Sequence, residues 1–350
     1  MRRYYTRACN FYYGKESQAL LIKNKTLPLN GLKNISFDHL EIITRTSKKK
    51  ISIKEIKKLS KSLQKQIIFD LKKITSKNKN FSNLDFQKPP NIMGVLNLTP
   101  DSFSDGGKFN KKDKGIKHAF EMISAGSKLI DIGGESTRPG SKTVNPKNEW
   151  NRIYKILRSV CKKIPVSLDT RKSEIMEKGI KLGVKIINDV SGLRYDKKTL
   201  DVLTKHQIPF VIQHSKGTPE NMQIKPTYKN ELLDIYDFFE NTIMYLKNAG
   251  IKHNNIILDP GIGFGKNLKH NINLISNVSI FHSLGFPILV GNSRKRFIKE
   301  VAKTNDSKNR IGGTIASSIY LMMQGVQILR IHDVNELIQG IKVFKELIKN

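Results

Sequence analysis

The sequence predicts an α/β protein: a (β/α)8 TIM barrel over residues 89–350, preceded by a small α+β extension over residues 1–88. From Asn91 onward, short apolar runs alternate with longer segments of helical periodicity. Eight such units in about 260 residues match the usual size of this barrel. No glycine-rich nucleotide-binding fingerprint follows the first run, which argues against a doubly wound sheet.

The eight apolar runs are the predicted barrel strands, because each is short and is bounded by polar or turn-forming residues. They are Ile92–Leu96, Lys128–Ile132, Pro165–Leu168, Val184–Ile187, Pro209–Ile212, Asn255–Leu258, Pro287–Val290 and Gln327–Ile331. The intervening stretches have the length and the apolar spacing of helices. They include Lys114–Ala125, Glu149–Lys162, Ser173–Leu182, Asn230–Ala249, Ile272–Ser283 and Ile311–Met323.

The extension combines two patterns. Tyr4–Tyr13 and Phe37–Arg45 are rich in aromatic and β-branched residues and predict strands, with a turn expected at Gly14 between them. From Ile53 to Ile74, apolar residues recur every three or four positions among lysines, which predicts one amphipathic helix with a basic outer face. Lys77–Pro90 is predicted to be a linker to the barrel. We assign the extension no activity.

The formal net charge is +32, and residues 1–90 carry 21 Lys or Arg against six Asp or Glu. Such a charge is compatible with a nucleic-acid or anionic membrane partner, or with a general bias toward Lys, Asn and Ile. We expect neither nucleic acid nor membrane as a partner. No basic cluster is interleaved with aromatics as in a nucleic-acid module, and no apolar run approaches membrane-spanning length.

Cysteine usage indicates an intracellular chain. Cys9 and Cys161 are the only cysteines, and neither lies in a CxxC or Cys/His spacing. A disulfide framework or a zinc site is therefore not expected, and a reducing, cytoplasmic location is the default.

Polar residues follow every predicted barrel strand. Because the active site of a TIM barrel lies at the C-terminal ends of its strands, these residues should converge on one mouth. A single strand-end Asp often only caps the next helix, but eight converging polar ends predict a ligand site. In strand order they are Asn97, Gly133–Gly140, Asp169-Thr170, Asn188-Asp189, Gln213-His214, Asp259–Gly261, Gly291–Lys295 and finally Arg330, His332 and Asp333.

The residue types at these ends suggest two kinds of chemistry. Asp169, Asn188 and Asp259 offer carboxylates and an amide that can pair with ring N–H and amino groups, as a fused nitrogen heterocycle requires. Arg330 and His332, together with Asn97, suit an oxyanion with a bound cation. Arginine fits phosphate geometry, and an amide oxygen suits Mg²⁺.

Three further features have alternative interpretations. Ser293 could cap a helix after the seventh strand and aim N–H groups at an anion. Gly261–Lys266 (GIGFGK) lacks the GxxxxGK[ST] spacing of a phosphate-binding loop. It is predicted to be a tight strand-to-helix connection in which Phe264 lines the site. His214 is either a structural histidine or a ligand contact, and the sequence leaves this open.

These residues lie in strings that resemble the dihydropteroate synthase family in order and spacing across the barrel. The strings are NLTPDSFSDGG, DIGGESTRPGS, SLDT, IINDVSG, LDPGIGFGKN, GNSRK and RIHDV. The resemblance implies a TIM-barrel transferase of folate biosynthesis that takes small-molecule substrates. It would condense 6-hydroxymethyl-7,8-dihydropterin diphosphate with p-aminobenzoate and release 7,8-dihydropteroate and diphosphate. The resemblance also implies Mg²⁺ as cofactor and a homodimer.

The resemblance assigns roles to residues of this chain. Asp169, Asn188, Asp259 and Lys295 would hold the pterin, with Arg330 packing along it. Asn97, Arg330 and His332 would handle Mg²⁺ and diphosphate, with Asn97 as the metal ligand. The loops at Thr99–Gly107 and Glu135–Ser141 would complete the p-aminobenzoate pocket. The implied catalytic residues are Asn97, Asp169, Lys295, Arg330 and His332, and the implied substrate-binding residues are Phe103, Thr137, Arg138, Pro139, Asp169, Asn188, Asp259, Phe264, Ser293, Lys295, Arg330 and His332.

The implied mechanism is dissociative: diphosphate departs, the pterin methylene gains cationic character and the arylamine attacks. Two alternatives also fit a pterin-binding barrel, a pterin-dependent methyltransferase and a non-catalytic pterin-binding paralogue. The first does not need the TPDSFSDGG and ESTRPG loops, and the second would be expected to have lost loop or diphosphate residues, yet all are present here. Two positions depart from the usual family pattern: Arg296 follows Lys295 where many members carry Ser, and IQHSKG at the fifth strand end lacks the usual Met.

Overall fold

The computed structural model describes residues 4–81, 84–99, 112–136, 141, 143–217, 222 and 224–348. The strands are β1 (Tyr5–Tyr13), β2 (Leu27–Pro28), β3 (Ile35–Ile43), β4 (Lys48–Ser52), β5 (Asn91–Asn97), β6 (Leu129–Gly133), β7 (Val166–Asp169), β8 (Ile186–Asp189), β9 (Phe210–Gln213), β10 (Ile256–Asp259), β11 (Leu289–Val290) and β12 (Ile328–Ile331). The α-helices are α1 (Gly14–Ile22), α2 (Lys61–Thr75), α3 (Lys112–Ala125), α4 (Pro146–Val160), α5 (Ser173–Lys181), α6 (Thr199–His206), α7 (Glu231–Asn248), α8 (Leu268–Ser276), α9 (Arg296–Ala302), α10 (Ile311–Met323) and α11 (Val334–Leu347).

The predicted TIM barrel is confirmed. Eight parallel strands pair in the order β10-β9-β8-β7-β6-β5-β12-β11. A bridge between Leu258 and Ile288 links β10 to the segment before β11, and the Leu258 amide donates to the Pro287 carbonyl at 2.9 Å. This pairing nearly closes the ring. Each of the eight apolar runs predicted from the sequence overlaps one of these strands.

The barrel interior is filled in layers, as strand alternation requires. The layer nearest the N-terminal ends of the strands is apolar and consists of Met93, Leu129, Ile186, Val211, Ile257, Leu289 and Ile328. Residues two positions further along these strands face the same interior, nearer to the C-terminal ends, and most of them are polar. This second layer supplies the site.

The segment predicted to be a linker is in part a plug for the barrel. Leu84 and Phe86 are almost fully buried and pack against the apolar interior layer, and Phe81 packs against them. The Asp85 amide donates to Asn91 Oδ1 at 3.0 Å, and Asn91 Nδ2 donates back to the Asp85 carbonyl at 3.1 Å. These bonds tie the plug to the start of β5. The interpretation of Lys77–Pro90 as a simple linker was therefore wrong for this part.

The extension contains the predicted strands as β1 and β3, which pair antiparallel, with β2 and β4 added to β3. The turn expected at Gly14 is instead the first residue of α1, where Gly14 takes a positive φ of 55°. The single helix expected from Ile53 to Ile74 is two helices. A 3-10 helix over Ile53–Lys58 begins at a Ser52 capping box, and extended backbone at its C-cap separates it from α2.

The extension packs along the outer wall of the barrel. The Tyr5 hydroxyl donates to Asp237 of α7 at 2.7 Å, and Arg45 ion-pairs with both Asp234 and Asp237. Ser279 lies on the 3-10 helix Val278–Leu284, and its Oγ donates to the Ala8 carbonyl of β1 at 3.1 Å. Among the described helices, none is long and apolar enough to cross a membrane.

Candidate active site

The centre of the barrel mouth is an ion triad built on Arg330. Its Nε donates to Asp131 Oδ2 at 2.6 Å, and its Nη2 donates to Asp169 Oδ2 at 2.8 Å. Asn188 Nδ2 donates to the same Asp131 oxygen at 3.2 Å. The triad joins β6, β7 and β12, and Asn188 adds β8, which brings three predicted site residues (Asp169, Asn188 and Arg330) together.

Asp131 is the residue that the sequence reasoning missed. It lies inside a predicted apolar strand and not after it, so it was not included among the strand-end residues. The signal was available, since Asp131 is an acidic residue in a run of apolar ones, two positions before Gly133, and shares a face with that strand-end residue. Its side chain is fully buried, and Arg330 and Asn188 satisfy one of its two oxygens.

Burial controls the protonation of the two predicted pterin carboxylates. Burial and the neighbouring Asp131 carboxylate raise the pKa of Asp169 to about 8, against the opposing effect of Arg330. Burial also raises the pKa of Asp259 to about 6, although the Gly261 amide donates to its Oδ1 at 2.8 Å and stabilises the ionised form. Both groups are thus poised to change charge in the neutral range, which is typical of functional carboxylates.

Lys295 and Phe264 meet at the edge of the mouth. The Lys295 Nζ lies 4.2 Å from the centre of the Phe264 ring, a cation–π distance. A side chain at Gly263 would approach the Lys295 Cδ to 3.2 Å, and the positive φ of 83° at Gly263 also favours glycine. Gly261–Lys266 joins the end of β10 to the start of α8, so it is the strand-to-helix connection that the sequence predicts.

Lys266 and His214 stabilise the Gly261–Lys266 connection. The buried Lys266 Nζ donates to the carbonyls of Gly261 and Phe264 at 2.9 Å and lies 3.1 Å from His214 Nδ1. Burial lowers the pKa of Lys266 to about 7, and burial beside Lys266 lowers the pKa of His214 well below its usual range. His214 also packs edge-on against Phe238 at 5.0 Å. These contacts support the structural interpretation of His214.

Ser293 and His332 lie together at the C-terminal end of β12, the strand that carries Arg330. Ser293 Oγ accepts from the His332 amide at 3.2 Å and lies 3.1 Å from His332 Nδ1. The prediction that Ser293 caps the next helix was wrong. Lys295 is the N-cap residue of α9, and no side chain makes a capping bond there. Arg294, with a φ of 55°, ion-pairs with Asp333 and so fixes this rim.

The first loop after Thr99 and part of the second loop lie outside the described residues, including the predicted contacts Phe103, Thr137, Arg138 and Pro139. Asn97 ends β5 and pairs with Gly133, which places it at the mouth. Glu135 anchors the start of the second loop. It ion-pairs with Arg171 Nε and Lys172 Nζ, each at 2.9 Å, and accepts from the Val144 amide at 2.7 Å.

Comparison with known proteins identifies the class of barrel. Residues 93–332 match the model of the pterin binding enzyme family. The chain therefore belongs to the pterin-binding enzymes.

Curated relatives and solved structures narrow this to one family. The chain is 39% identical to the dihydropteroate synthase of Escherichia coli (strain K12), over 73% of this chain and 90% of the relative. It is 42% identical to that of Clostridium beijerinckii, over 70% of this chain and 89% of the relative. The chain superposes on Yersinia pestis dihydropteroate synthase, solved with a sulfonamide drug complex, with a TM-score of 0.73 and 38% identity. That match covers 77% of this chain and 98% of the other.

A second solved structure is the Xanthomonas albilineans dihydropteroate synthase with 4-aminobenzoic acid, which matches with a TM-score of 0.69 and 33% identity over 74% of this chain and 93% of the other. The chain belongs to the dihydropteroate synthase family and is a transferase. The resemblance inferred from the sequence strings is confirmed.

Proposed function

We propose that this chain condenses 6-hydroxymethyl-7,8-dihydropterin diphosphate with p-aminobenzoate to give 7,8-dihydropteroate and diphosphate. The observation that carries the proposal is the Arg330 triad, whose two carboxylates are buried, with the buried Asp259 at the end of β10 in the same mouth. Carboxylates and an amide at the centre of a barrel mouth match the donors of an amino-substituted pyrimidinone ring, and a guanidinium lies at the same place.

The residues divide by what they offer. Asp169, Asn188 and Asp259 would bind the N–H and amino groups of the heterocycle, and the Arg330 guanidinium would pack along it. Lys295 would bind a ring acceptor from the edge, held there by the Phe264 ring. Position at the mouth supports each of these roles, and burial also supports those of Asp169, Asn188 and Asp259.

The chemistry needs positioning and charge neutralisation and no strong base. An arylamine is nucleophilic at neutral pH, and the barrier is lowered when the amine and the electrophilic methylene are held in line. Arg330 and His332 would neutralise charge on the departing diphosphate. The first and second loops, with Phe103, Thr137, Arg138 and Pro139, would complete the p-aminobenzoate pocket together with Phe264 and Ser293.

The proposed Mg²⁺ fits the residues present if the substrate supplies most of its ligands. Within the described ranges, no group of three or more His, Cys, Asp or Glu side chains could hold a metal ion. Mg²⁺ commonly binds through one or two protein oxygens plus substrate phosphates and water. The Asn97 side-chain oxygen at the end of β5 would be the protein ligand. When bound, the ion would offset the negative charge of diphosphate.

Arg296 does not reach toward the mouth in this structure. Its Nε donates to Glu300 Oε1 at 2.5 Å, one turn along α9, and the side chain is largely exposed. We therefore propose that the p-aminobenzoate carboxylate is bound by backbone amides and loop residues, and that the departure at Arg296 leaves the reaction unchanged.

A diphosphate-release assay tests the proposed function. The purified chain with Mg²⁺ should form 7,8-dihydropteroate from the pterin substrate and p-aminobenzoate, and should release diphosphate in equal amount. Asp169→Asn should abolish both signals while its circular dichroism matches wild type. Pterin binding with no 7,8-dihydropteroate formed when p-aminobenzoate is present would overturn the proposal. A sulfonamide should compete with p-aminobenzoate.

We also propose that the chain acts as a cytoplasmic homodimer. On the described surface, large apolar side chains remain exposed on the last two helices: Tyr320 on α10, and Val343 and Leu347 on α11. Burial of these side chains between two copies would remove them from water. Light scattering on the purified chain checks this, since a monomer mass at micromolar concentration would contradict it.

A further inference from the structure

The barrel interior holds an arc of polar atoms that have no hydrogen-bond partner among the described residues. Four consecutive strands each supply one of these atoms, and all four residues are buried. They are Asp131 Oδ1 on β6, Ser167 Oγ on β7, Asn188 Oδ1 on β8 and Gln213 Nε2 on β9. A buried polar atom without a partner destabilises the unliganded protein, so an arc of them indicates a bound polar ligand.

Gln213 differs from the other three members of the arc. Its unpartnered atom is an amide nitrogen, which can only donate a hydrogen bond. The carboxylate oxygen of Asp131 and the amide oxygen of Asn188 accept, and the Ser167 hydroxyl can do either. Val211 lies in the apolar interior layer, so Gln213, two positions further along β9, faces the same interior. Gln213 is in register with Asp259 on β10, which places it beside the predicted pterin carboxylate.

The backbone of two neighbouring loops packs closely against Gln213. Two glycines with positive φ pack against it from neighbouring loops. A Cβ at Gly192 would lie 2.7 Å from the Gln213 carbonyl oxygen, and a Cβ at Gly261 would lie 3.4 Å from the Gln213 Cγ. Only glycine fits so closely at Gly192, and φ is 62° and 68° at the two positions. Gln213 is thus closely packed between the loops that follow β8 and β10.

We propose that Gln213 is a specificity-determining residue of the heterocycle site. Its side-chain amide donates a hydrogen bond to an acceptor atom of the pyrimidinone ring, a ring nitrogen or the carbonyl oxygen. Asn188 and Asp259 receive the donors of that ring. The proposal rests on the proposed function, because it takes the ligand to be a pterin. Gln213 lies in the IQHSKG strand end, which departs from the family pattern in lacking the usual Met, so this hydrogen bond would be particular to this chain.

Replacement of Gln213 by methionine tests two consequences of the proposed hydrogen bond, one for pterin affinity and one for the stability of the unliganded protein. Gln213→Met keeps the length and volume of the side chain and removes both hydrogen-bonding groups. We expect the Kd for 6-hydroxymethylpterin, measured by calorimetry on the full chain, to rise about tenfold or more, since one hydrogen bond accounts for about that factor. The Tm of the unliganded variant should equal or exceed the wild-type value, because an unpaired buried amide has been removed.

Gln327→Met is the matched control. Gln327 is also fully buried with an unpartnered Nε2 among the described residues, but it precedes β12 at the opposite end of the barrel. Its substitution should leave the Kd within twofold of wild type. A second site variant, Gln213→Leu, keeps the test available if the methionine variant folds poorly.

The outcomes separate the inference from the function on which it rests. If wild type binds the pterin and Gln213→Met binds it equally well, the inference is wrong and the proposed function stands. A Tm that falls by several degrees with unchanged Kd assigns Gln213 a purely structural role and also overturns the inference. If wild type binds no pterin, both proposals fall. A raised KM for the pterin substrate with an unchanged KM for p-aminobenzoate supports the inference further.

Discussion

At the scale of single residues, the mouth of this barrel is governed by carboxylates buried close together. Asp131 and Asp169 share the Arg330 guanidinium, which offsets two negative charges with one positive charge. Desolvation and the second carboxylate favour the protonated form of Asp169, and Arg330 opposes them. The charge of Asp169 therefore depends on pH near neutrality, as does that of Asp259.

The pKa of Asp169 has a consequence for stability, and its sign follows from proton linkage. The folded protein holds the Asp169 proton more tightly than the unfolded chain does, because the pKa rises from 3.8 to about 8. The stabilisation from this group is therefore present below pH 4 and is lost as pH rises through about 8. Function and stability oppose each other here, since binding a ring N–H requires the ionised carboxylate.

Asp131→Asn tests this coupling. We expect pterin affinity of the wild type to strengthen as pH rises through about 8, as Asp169 ionises. Asparagine removes the neighbouring negative charge, so the midpoint should move down by about one pH unit or more. Calorimetric Kd values between pH 5.5 and 9 measure this. Asp70→Asn, at a buried carboxylate of the extension, is the control. An unmoved midpoint in Asp131→Asn would show that the two carboxylates are not coupled.

At the scale of elements, the barrel strands could be predicted because each buries a short apolar run of its own, a local signal. Asp131 could not be recognised in the same way. The partners that explain its polarity, Arg330 and Asn188, lie 199 and 57 positions away in the chain. The 3-10 break before α2 was also missed, since Leu59 and Ser60 leave the helix although the apolar spacing continues through them.

The plug at the N-terminal end of the barrel is a second feature that local sequence patterns could not predict. Leu84 and Phe86 lie in a short stretch rich in Asn, Ser and Pro, and two isolated apolar residues in such a stretch give no periodicity. They are buried because the ring of strands is open at that end, and an open apolar ring must be closed by some other part of the chain. This requirement belongs to the assembled barrel, so local patterns do not reveal it.

Phe86→Ala measures the contribution of the plug. Phe86 is 1% exposed within the apolar interior layer, so truncation should lower the free energy of unfolding by about 3–5 kcal/mol. Urea unfolding of the full chain, followed by fluorescence and by circular dichroism, gives this value. Phe69→Ala on α2 is the control, since Phe69 is 56% exposed and its loss should change stability by less than about 0.5 kcal/mol. Equal midpoints for the two variants would refute the plug.

At the scale of the whole molecule, the extension and the barrel share an interface of mixed character. Tyr5 packs edge-on against Tyr236 with ring centres 5.1 Å apart, and it belongs to the core cluster of the barrel. Asn30 Nδ2 lies 3.3 Å from His282 Nδ1, and Tyr13 donates to the Met323 carbonyl at 2.9 Å. These residues lie on the outer wall and before β11 and β12, away from the Arg330 triad.

Truncation separates the extension from the plug and tests both assignments together. Deletion of residues 1–79 removes the extension and keeps Phe81 and the described plug residues, whereas deletion of residues 1–88 removes the plug as well. Because the extension contributes no side chain to the described mouth, the first truncation should keep kcat and both KM values within about threefold. Its Tm should fall, since Tyr236 and Phe281 lose the cover that Tyr5 and β1 provide.

The second truncation opens the apolar end of the barrel and should unfold at a much lower urea concentration than the first. Equal stability of the two truncations would leave the plug without a structural role, and loss of turnover in the first would place part of the active site in the extension.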